Sequence, residues 1–337
     1  MKKTACWVIA PAFFAVCSIP QKKTIGDKPE TNATPETHLM KSVGDQSPAL
    51  YMSADFGLSW APVGGNLPAD ANVYGVEQLG DQIVVATENY GLFIGRPEHA
   101  DWIPIGLYLP GPKITALHIS GDELYAGVYE KGLFVSKDSG HTWASLNQML
   151  PDLSVRSILR VEGAVLVGTN SGLFRKADGE KRWAKVFDEG QIIALSAKDG
   201  KIAGGTNFGM ILSTDSGRHW NWIEKVGAVH NFAILDKCLV VLDISGDIRL
   251  TEDWGKSWNL PRYYPRQYSY GYDVAQVGDY WLLSNNYGIH RSEDKGKHWE
   301  HLVLQEDFVF YDFAVRDQVI YAGMRAWKER RPKIGNR

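Results

Sequence analysis

The sequence has few cysteines, almost no net charge and no series of long apolar runs, and each shortage excludes a class of protein. Three cysteines among 337 residues are too few for a disulfide framework. The 36 basic and 39 acidic residues leave a formal net charge of -3, so the composition carries no signature of a nucleic-acid-binding protein. The overall composition also excludes a coiled coil, a polytopic membrane protein and a disordered chain.

Glycine and aromatic residues, by contrast, are abundant. The chain contains 34 Gly, 15 Pro, 12 Trp and 15 Tyr. This mixture is typical of many short strands joined by tight turns and packed with aromatic side chains, and it suits long helices poorly. With 44% hydrophobic residues the chain can build a sizeable core. The composition therefore indicates a soluble β protein.

The N-terminal residues resemble an export signal. A positively charged start precedes an apolar run over residues 4–16, which is too short for a permanent transmembrane helix. We therefore predict a signal peptide over residues 1–19. Residues 14–18 (FAVCS) also resemble a bacterial lipobox, in which the cysteine, here Cys17, is diacylated and becomes the new N-terminus. Simple secretion after cleavage near Ala15 is the alternative.

The remaining chain divides into a spacer, a folded region and a tail. Residues 20–47 are polar and aperiodic, which is typical of a flexible linker. Residues 48–327 are expected to fold, and the basic tail 328–337 is expected to be solvated rather than bound to nucleic acid or lipid. Cys238 lies in an apolar segment and is expected to be a lone buried thiol. The protein is expected in the periplasm, attached to the outer membrane through a lipid at Cys17, or secreted.

Tryptophan recurs at intervals that match one blade of a β-propeller. The spacings between successive residues are 42, 41, 40, 37, 38 and 41. A regular period of about 40 residues is the mark of a repeat architecture. The positions are Trp60, Trp102, Trp143, Trp183, Trp220, Trp258 and Trp299.

Five of these tryptophans end an eight-residue motif, Ser/Thr-x-Asp-x-Gly-x-x-Trp, which we name the box turn. The copy that ends at Trp183 is decayed, because Glu180 stands where glycine belongs. The copy that ends at Trp102 is lost, because Pro97 replaces the aspartate. The five intact copies span residues 53–60, 136–143, 213–220, 251–258 and 292–299.

Each repeat has the pattern of four short strands, and the repeats add up to a closed ring. The innermost strands are expected to begin near residues 73, 113, 154, 191, 229 and 271, which makes six complete blades. A seventh blade is expected to be split, with its outer pair in residues 49–63 and its inner pair in residues 309–323. This pairing of the termini removes open edges. The sequence therefore predicts an all-β fold, a single seven-bladed β-propeller with four-stranded antiparallel blades.

On its five box turns the chain resembles the Asp-box, or BNR-repeat, proteins. This group includes sialidases, xyloglucanase-type glycosidases, sortilin-type receptors and photosystem II assembly factors, and the resemblance covers roughly residues 49–327. It implies a β-propeller but transfers no activity. The Phe/Tyr-Arg-Ile-Pro signature of active sialidases is absent, their six blades differ from the seven expected here, and xyloglucanase-type enzymes pair two propellers.

The shared residues of the box turns are interpreted as structural rather than catalytic. The aspartate is expected to accept hydrogen bonds from turn N–H groups, the glycine to supply a positive φ, and the tryptophan to pack across the hairpin. These residues are Asp55, Trp60, Asp138, Trp143, Asp215, Trp220, Asp253, Trp258, Asp294 and Trp299.

Strand order sorts the connections onto two faces of the ring. The box face carries the box turns and the hairpins between first and second strands. The loop face carries the connections between second and third strands and those between blades, of which residues 260–272 are the longest. We expect ligand-binding residues on the loop face. The candidates are Tyr90, Tyr129, Glu130, Phe208, Arg262, Tyr264, Arg266, Tyr268, Tyr287 and Arg325.

A rim of tyrosine, arginine and asparagine suits recognition of a protein or a glycan. We therefore predict an exported, monomeric, non-catalytic propeller that binds such a ligand through its loop face. The alternative is a glycoside hydrolase of sialidase-like type, with an acid–base pair drawn from Glu88, Glu130 and Asp273. No cofactor, metal site or nucleic-acid partner is expected.

Overall fold

The computed structural model describes most of residues 49–326 and two residues before them. The predicted signal peptide, Cys17 and the basic tail lie outside the described residues. Within the described ranges the chain forms strands and turns, with no helix and hence none long and apolar enough to cross a membrane. These ranges are 38–39, 49–99, 101–225, 227–244, 246–261, 271–286, 288–304 and 308–326.

The strands form seven sheets, which are the blades of a ring. The first three strands are β1 (His38–Leu39), β2 (Leu50–Ser53) and β3 (Ala61–Pro62). Blade 1 contains β4 (Val73–Leu79), β5 (Gln82–Thr87), β6 (Leu92–Arg96) and β7 (Asp101–Pro104). Blade 2 contains β8 (Ile114–Ser120), β9 (Glu123–Val128), β10 (Gly132–Ser136) and β11 (Ala144–Ser145). Blade 3 contains β12 (Val155–Val161), β13 (Ala164–Thr169), β14 (Gly172–Ala177) and β15 (Ala184–Phe187).

The remaining blades follow the same order from the innermost strand outward. Blade 4 contains β16 (Ile192–Lys198), β17 (Lys201–Thr206), β18 (Gly209–Ser213) and β19 (Asn221–Glu224). Blade 5 contains β20 (Val229–Leu235), β21 (Cys238–Asp243) and β22 (Ile248–Thr251), and a bridge between Leu250 and Asn259 stands in place of its outermost strand. Blade 6 contains β23 (Gly271–Val277), β24 (Tyr280–Asn285), β25 (Gly288–Ser292) and β26 (Glu300–Leu304). Residues of β1 pair in parallel with β26.

The seventh blade closes the ring with both ends of the folded region. Its inner strands are β27 (Phe308–Arg316) and β28 (Val319–Ala326), and its outer strands are β2 and β3. The antiparallel pairing of β28 with β2 joins the two ends, with Gly323 opposite Leu50. The predicted seven-bladed propeller and its split closing blade are confirmed.

Buried apolar side chains fill the junctions between blades. The second strand of a blade is covered by neighbouring blades on both faces, so its residues are buried in succession rather than alternately. In β13, all six residues from Ala164 to Thr169 are buried. Aromatic residues reach across junctions as well: the buried Trp102 of blade 1 donates a hydrogen bond of 3.1 Å from its indole to the Val63 carbonyl. Cys238 is buried and unpaired.

The box turns are held by hydrogen bonds within each turn. In blade 2, Asp138 accepts a bond of 2.8 Å from the Thr142 amide, and Ser136 Oγ accepts one of 2.8 Å from the Gly140 amide. Gly140 has a φ of +87°, in the left-handed region that favours glycine. The hydrogen bonds from Thr142 hold the pKa of Asp138 at about 2. The carboxylate is thus engaged by the turn itself.

Contacts between the turns place them on one face of the ring. Lys137 in a box turn pairs with Glu123 in the first hairpin of the same blade, at 2.9 Å. Lys295 in the box turn of blade 6 pairs with Asp236 in the first hairpin of blade 5, at 3.1 Å. The longer connections lie on the opposite face of the ring, the loop face.

Candidate functional site

A β-bulge interrupts every innermost strand near its loop-face end. In β4, Val73 pairs with Thr87 and Gly75 pairs with Ala86, which leaves Tyr74 as an extra residue. The other six innermost strands have the same register shift at the same place. The extra residues are Tyr74, Thr115, Arg156, Ile193, His230, Tyr272 and Tyr311.

A central cavity of about 460 Å³ is lined by the innermost strands of all seven blades. Because a bulge turns its extra residue out of the regular alternation, the bulges decide which side chains face this channel. The sequence interpretation missed these positions, since nothing in the period-two pattern marks a bulge. Five extra residues line the cavity, namely Tyr74, Arg156, Ile193, Tyr272 and Tyr311. Together with Arg325, we name them the channel mouth.

Three tyrosines form a continuous aromatic row at the channel mouth. The ring of Tyr311 lies 5.7 Å from that of Tyr74 and 5.6 Å from that of Tyr272. The guanidinium of Arg325 lies 4.8 Å from the centre of the Tyr311 ring. Burial raises the pKa of both Tyr74 and Tyr311, so these phenols stay neutral. The row therefore offers aromatic surface next to a cation.

The cationic side chains around the channel mouth outnumber the carboxylates that form ion pairs with them. Glu88 pairs with Arg325 at 3.0 Å and with Lys113 at 3.1 Å, so one negative charge is shared by two positive charges. Arg156 is exposed, and its Nε donates a hydrogen bond to Asn170. Among the residues that the structure describes, no carboxylate forms an ion pair with Arg156. The mouth thus carries a surplus of positive charge.

Three carboxyl groups lie next to the mouth, in the innermost strands of blades 6, 7 and 1. Asp273 is buried, and Asp312 and Glu77 are half-buried. Each accepts a hydrogen bond from a backbone amide on the open inner edge of the following blade. An edge strand has no partner for these N–H groups, and the carboxylates satisfy them. The pairs are Asp273 with Phe313 (2.8 Å), Asp312 with Val76 (2.7 Å) and Glu77 with Ile119 (2.7 Å).

Burial raises the pKa of all three carboxyl groups. It raises the pKa of Asp273 to about 7 and that of Glu77 to about 8. Burial, together with the neighbouring Asp273 carboxylate, raises the pKa of Asp312 well above its usual value. A raised pKa favours the neutral form of a carboxyl group, so these groups offset less of the positive charge of the mouth than exposed carboxylates would.

Five of the ten candidate residues lie within the described part of the chain. Tyr129 packs against Lys113, whose Nζ lies 4.4 Å from the ring centre. Tyr90 donates a hydrogen bond of 2.7 Å to Asp70, and Phe208 is 53% exposed. Glu130 is exposed on a turn, and Arg325 belongs to the channel mouth. The other five candidates, Arg262, Tyr264, Arg266, Tyr268 and Tyr287, lie outside the described residues.

One carboxylate of the glycosidase alternative is buried inside the ring. Asp273 is only 8% exposed, and its Oδ1 accepts a hydrogen bond of 3.0 Å from Asn231. The residue lies at the loop-face end of β23, next to the bulge at Tyr272, and its carboxylate contacts the neighbouring blades rather than solvent. Glu88 is held between two cations. Within the described ranges, no three His, Cys, Asp or Glu side chains come together to hold a metal ion.

Exposed apolar side chains are concentrated on the loop face. Among the described residues, eleven large hydrophobic side chains are exposed. Two lie elsewhere, Leu58 in a box turn and Ile103 in the outer strand β7. The other nine lie in loop-face connections, and they are Tyr90, Leu107, Tyr108, Tyr129, Met149, Leu153, Phe208, Ile244 and Leu260.

Comparison with known proteins finds similarity at the level of structure. No family model and no curated protein matches the chain. A structure of YCF48 bound to D1 peptide has a TM-score of 0.60 and 18% identity, over 76% of this chain and 94% of that one. YCF48 from Cyanidioschyzon merolae has a TM-score of 0.59 and 14% identity, over 77% of this chain and 97% of that one.

A glycosidase has the same architecture. The GH74 xyloglucanase from Xanthomonas campestris has a TM-score of 0.55 and 17% identity, over 70% of this chain. The match covers only 45% of the enzyme, so the present chain spans less than half of it. At these identities the similarities show a shared propeller fold, and the fold alone.

Proposed function

We propose that this protein is a non-catalytic binding protein that docks a segment of a partner protein across its loop face, over the channel mouth. The observation that carries the proposal is the distribution of exposed apolar side chains, nine of eleven of which lie in loop-face connections. Apolar side chains exposed on one face in this number support an interaction surface there, because leaving them in water is unfavourable. The box face has no comparable set among the described residues.

The chemistry of these side chains favours a protein partner over a glycan. Leu107, Met149, Leu153 and Leu260 are aliphatic or thioether side chains and offer no hydrogen bonds. Burial of such groups against apolar side chains of a partner protein is favourable. A sugar, by contrast, needs hydrogen-bond donors and acceptors for its hydroxyl groups. Methionine also adapts to partners of different shape.

The charge of the channel mouth favours an acidic segment. Arg156 has no carboxylate partner in the described structure, and Arg325 shares Glu88 with Lys113. A partner that presents Asp or Glu over the mouth would complete these pairs, while its apolar residues would cover the surrounding side chains. Such complementarity raises the association rate and selects the partner. The tyrosine row supplies rigid aromatic area beside these cations.

A sialidase-like hydrolase is less well supported. A glycosidase needs two carboxyl groups that face one cleft, one as acid and one as base or nucleophile. Glu88 is neutralised by two cations, and the Asp273 carboxylate accepts hydrogen bonds from the Phe313 amide and from Asn231. These ion pairs and hydrogen bonds are typical of carboxylates with a structural rather than a catalytic role. The YCF48 structure with its bound D1 peptide supports a binding role, as a propeller of similar fold that takes a peptide.

We also propose that the propeller is exported and anchored in the cell envelope through a lipid on Cys17. The lipobox-like residues 14–18 and the polar spacer that follows them support this location. Metabolic labelling with a radioactive fatty acid is expected to mark the wild-type chain and not the Cys17→Ser variant. Equal labelling of both chains would contradict the anchor.

Site-specific photo-crosslinking in cells of the native host tests the binding face. A photoreactive phenylalanine analogue is placed at Phe208 or Leu107 on the loop face, and at Leu58 on the box face as a matched control. Phe208 and Leu58 are similarly exposed, at 53% and 47%. The loop-face positions are expected to give discrete protein adducts and Leu58 none. Adducts formed only from Leu58, or no adduct from either loop-face position, would refute the proposal.

A further inference from the structure

The innermost strand of each blade has one edge without a strand partner among the described strands, and residues of these strands line the central cavity. Along an open edge the N–H groups of alternate residues point away from their own sheet, here towards the channel. We define the edge amide of a blade as the N–H of the residue two positions after the extra residue of its bulge. The shared register puts these N–H groups in equivalent places in all seven blades. They belong to Val76, Leu117, Ile158, Leu195, Phe232, Val274 and Phe313.

Side-chain oxygens accept hydrogen bonds from the edge amides of blades 1, 5, 6 and 7. In blade 7 the edge amide of Phe313 donates to Asp273 of the preceding blade, at 2.8 Å. In blade 1 that of Val76 donates to Asp312 of the preceding blade, at 2.7 Å. In blades 5 and 6 the acceptor is the residue just before the amide. These pairs are Phe232 with Asn231 and Val274 with Asp273, each at 2.8 Å.

The edge amides of blades 2, 3 and 4 have no side-chain acceptor among the described residues. In blades 6 and 7 the aspartate directly after the extra residue reaches the edge amide of the next blade. The Ser157 hydroxyl in blade 3 donates instead to the Ile192 carbonyl, and Glu77 in blade 1 accepts from Ile119, two residues beyond the edge amide of blade 2. The residues of blades 1, 2 and 3 at the position of these aspartates are small, and they are Gly75, Ala116 and Ser157.

The small residues leave space for a ligand beside the three amides. A β-carbon at Gly75 would come no closer than 3.6 Å to Leu117, an ordinary contact distance, so the fold does not itself fill this place. The cavity volume of about 460 Å³ lies within the range of about 300–1,000 Å³ that is typical of sites for small ligands. Its lining includes Gly75, Ala116, Leu117, Ser157, Ile158 and Leu195.

The charge of the lining favours an anion as the missing acceptor. Arg156 lines the cavity two residues before the edge amide of blade 3. Burial raises the pKa of Glu77 to about 8, and burial with the neighbouring Asp273 raises that of Asp312, which favours the neutral forms of both carboxyl groups. Burial lowers the pKa of His118 to about 4, so this ring is neutral at pH 7. The guanidinium of Arg156 therefore dominates the charge of the lining.

A carboxylate meets these conditions. A carboxyl group satisfies the equivalent amides in blades 7 and 1, and the N–H groups of a sheet edge are suited to binding anions. We propose that the central channel binds the carboxylate of a ligand on the side formed by blades 2, 3 and 4, with the edge amides as donors and Arg156 as the counter-charge. The carboxylate comes either from a small organic acid or from an acidic side chain of the partner. Only the second source rests on the function proposed above.

Nitrogen-15 NMR of the full-length chain, labelled at leucine and isoleucine, tests the site through the three amides themselves. Acetate, lactate and glutarate are the free acids, with acetamide as the uncharged control. The peptide acetyl-Ala-Asp-Ala-amide represents a partner side chain, with its Asn counterpart as control. At pH 7 a free acid or the Asp peptide is expected to shift the resonances of Leu117, Ile158 and Leu195 until they saturate. A response to a free acid indicates a small organic acid, and a response to the Asp peptide alone indicates a partner side chain.

Variants connect the response to the site. Gly75→Asp supplies an internal carboxylate to the edge amide of blade 2 and is expected to weaken binding at least tenfold. Gly111→Asp adds the same charge outside the cavity lining and is the matched control. Arg156→Gln is also expected to weaken binding at least tenfold, and thermal unfolding shows whether each variant is folded.

Three results would overturn the proposal. They are the absence of any shift with every probe, equal shifts with acetamide and acetate, and wild-type affinity in a folded Gly75→Asp or Arg156→Gln chain. The test is independent of the partner, because missing loop-face crosslinks would refute the docking of a partner while a response to a free acid would still establish this site.

Discussion

Asp312, in the innermost strand of the closing blade, accepts a hydrogen bond of 2.7 Å from the backbone amide of Val76 in blade 1, 236 residues earlier in the chain. The bond ties the innermost strand of the closing blade to the first complete blade. Its acceptor is a half-buried carboxyl group whose pKa is raised by burial and by the neighbouring Asp273, so we expect the protonation of this pair to affect the closure of the ring.

The stability of the ring is expected to fall as the pH rises from about 6.5 to about 8. Aspartate and glutamate titrate near 3.9 and 4.3 in an unfolded chain, whereas the pKa of Asp273 is about 7 and that of Glu77 about 8 in the fold. Between about pH 6.5 and 8 the folded chain therefore holds carboxyl protons that the unfolded chain has lost, so the free energy of unfolding decreases with pH. Below this range burial lowers the pKa of His118 to about 4 and that of His290 to about 3, and these two groups have the opposite effect on the free energy of unfolding. For Asp273 alone the loss is at most about 4 kcal/mol.

Urea unfolding across this pH range measures the effect. The double variant Asp273→Asn, Asp312→Asn cannot titrate at these positions, and its free energy of unfolding is expected to depend less on pH than that of the wild type. An identical slope in the two chains would show that the buried pair does not link closure to protonation.

Loss of a box-turn hydroxyl is expected to weaken the fold without affecting binding. Ser213 is buried, accepts a hydrogen bond of 3.0 Å from the Gly217 amide and donates one of 2.8 Å to Asp215. Ser213→Ala should lower the free energy of unfolding by about 1–3 kcal/mol, because the Gly217 amide loses its acceptor. The neighbouring exposed Thr214→Ala is the control and should change it by less than about 0.5 kcal/mol. Equal effects of the two substitutions, or lost crosslinking in folded Ser213→Ala, would contradict a structural role.

Close packing at the closing blade makes Gly323 intolerant of any side chain. A β-carbon there would lie 2.3 Å from Val73 and 2.9 Å from Val76 of blade 1. Gly323→Ala is expected to destabilise the fold by about 1–3 kcal/mol through overpacking. At Gly111 a β-carbon would come no closer than 3.7 Å to Val128, so Gly111→Ala is the matched control. Thermal unfolding of both variants tests whether blades 7 and 1 are in contact as described.

Reversal of charge at the channel mouth is expected to weaken partner binding selectively. Arg156→Glu replaces an exposed cation by an anion and repels an acidic segment, so the crosslink yield from Phe208 should fall at least tenfold, equivalent to about 1.4 kcal/mol. Stability should change little, because Arg156 is exposed. Lys256→Glu on the box face is the control and should leave the yield unchanged. Equal crosslink yields from both variants would show that the charge of Arg156 does not contribute to partner recognition.

Much of the fold could be predicted from the sequence because the box turns repeat along it. A box turn is complete within eight residues, from Ser136 to Trp143 for example, and the hydrogen bonds of its serine, aspartate and threonine side chains join residues at most four apart. Local patterns of this kind appear directly in the sequence. Their spacing then predicts the number of blades, the split of the closing blade and the two faces of the ring.

The sequence by itself therefore determined the seven-bladed ring and the face on which its longer connections lie. Only the tertiary structure decided which side chains form the channel mouth and that Asp273 is buried. These features depend on bulges, and on contacts such as Asp273 with Phe313 or Asp312 with Val76, which join residues 40 and 236 positions apart. Neither a bulge nor a contact across blades leaves a periodic trace in the chain, because each follows from how finished blades pack against one another.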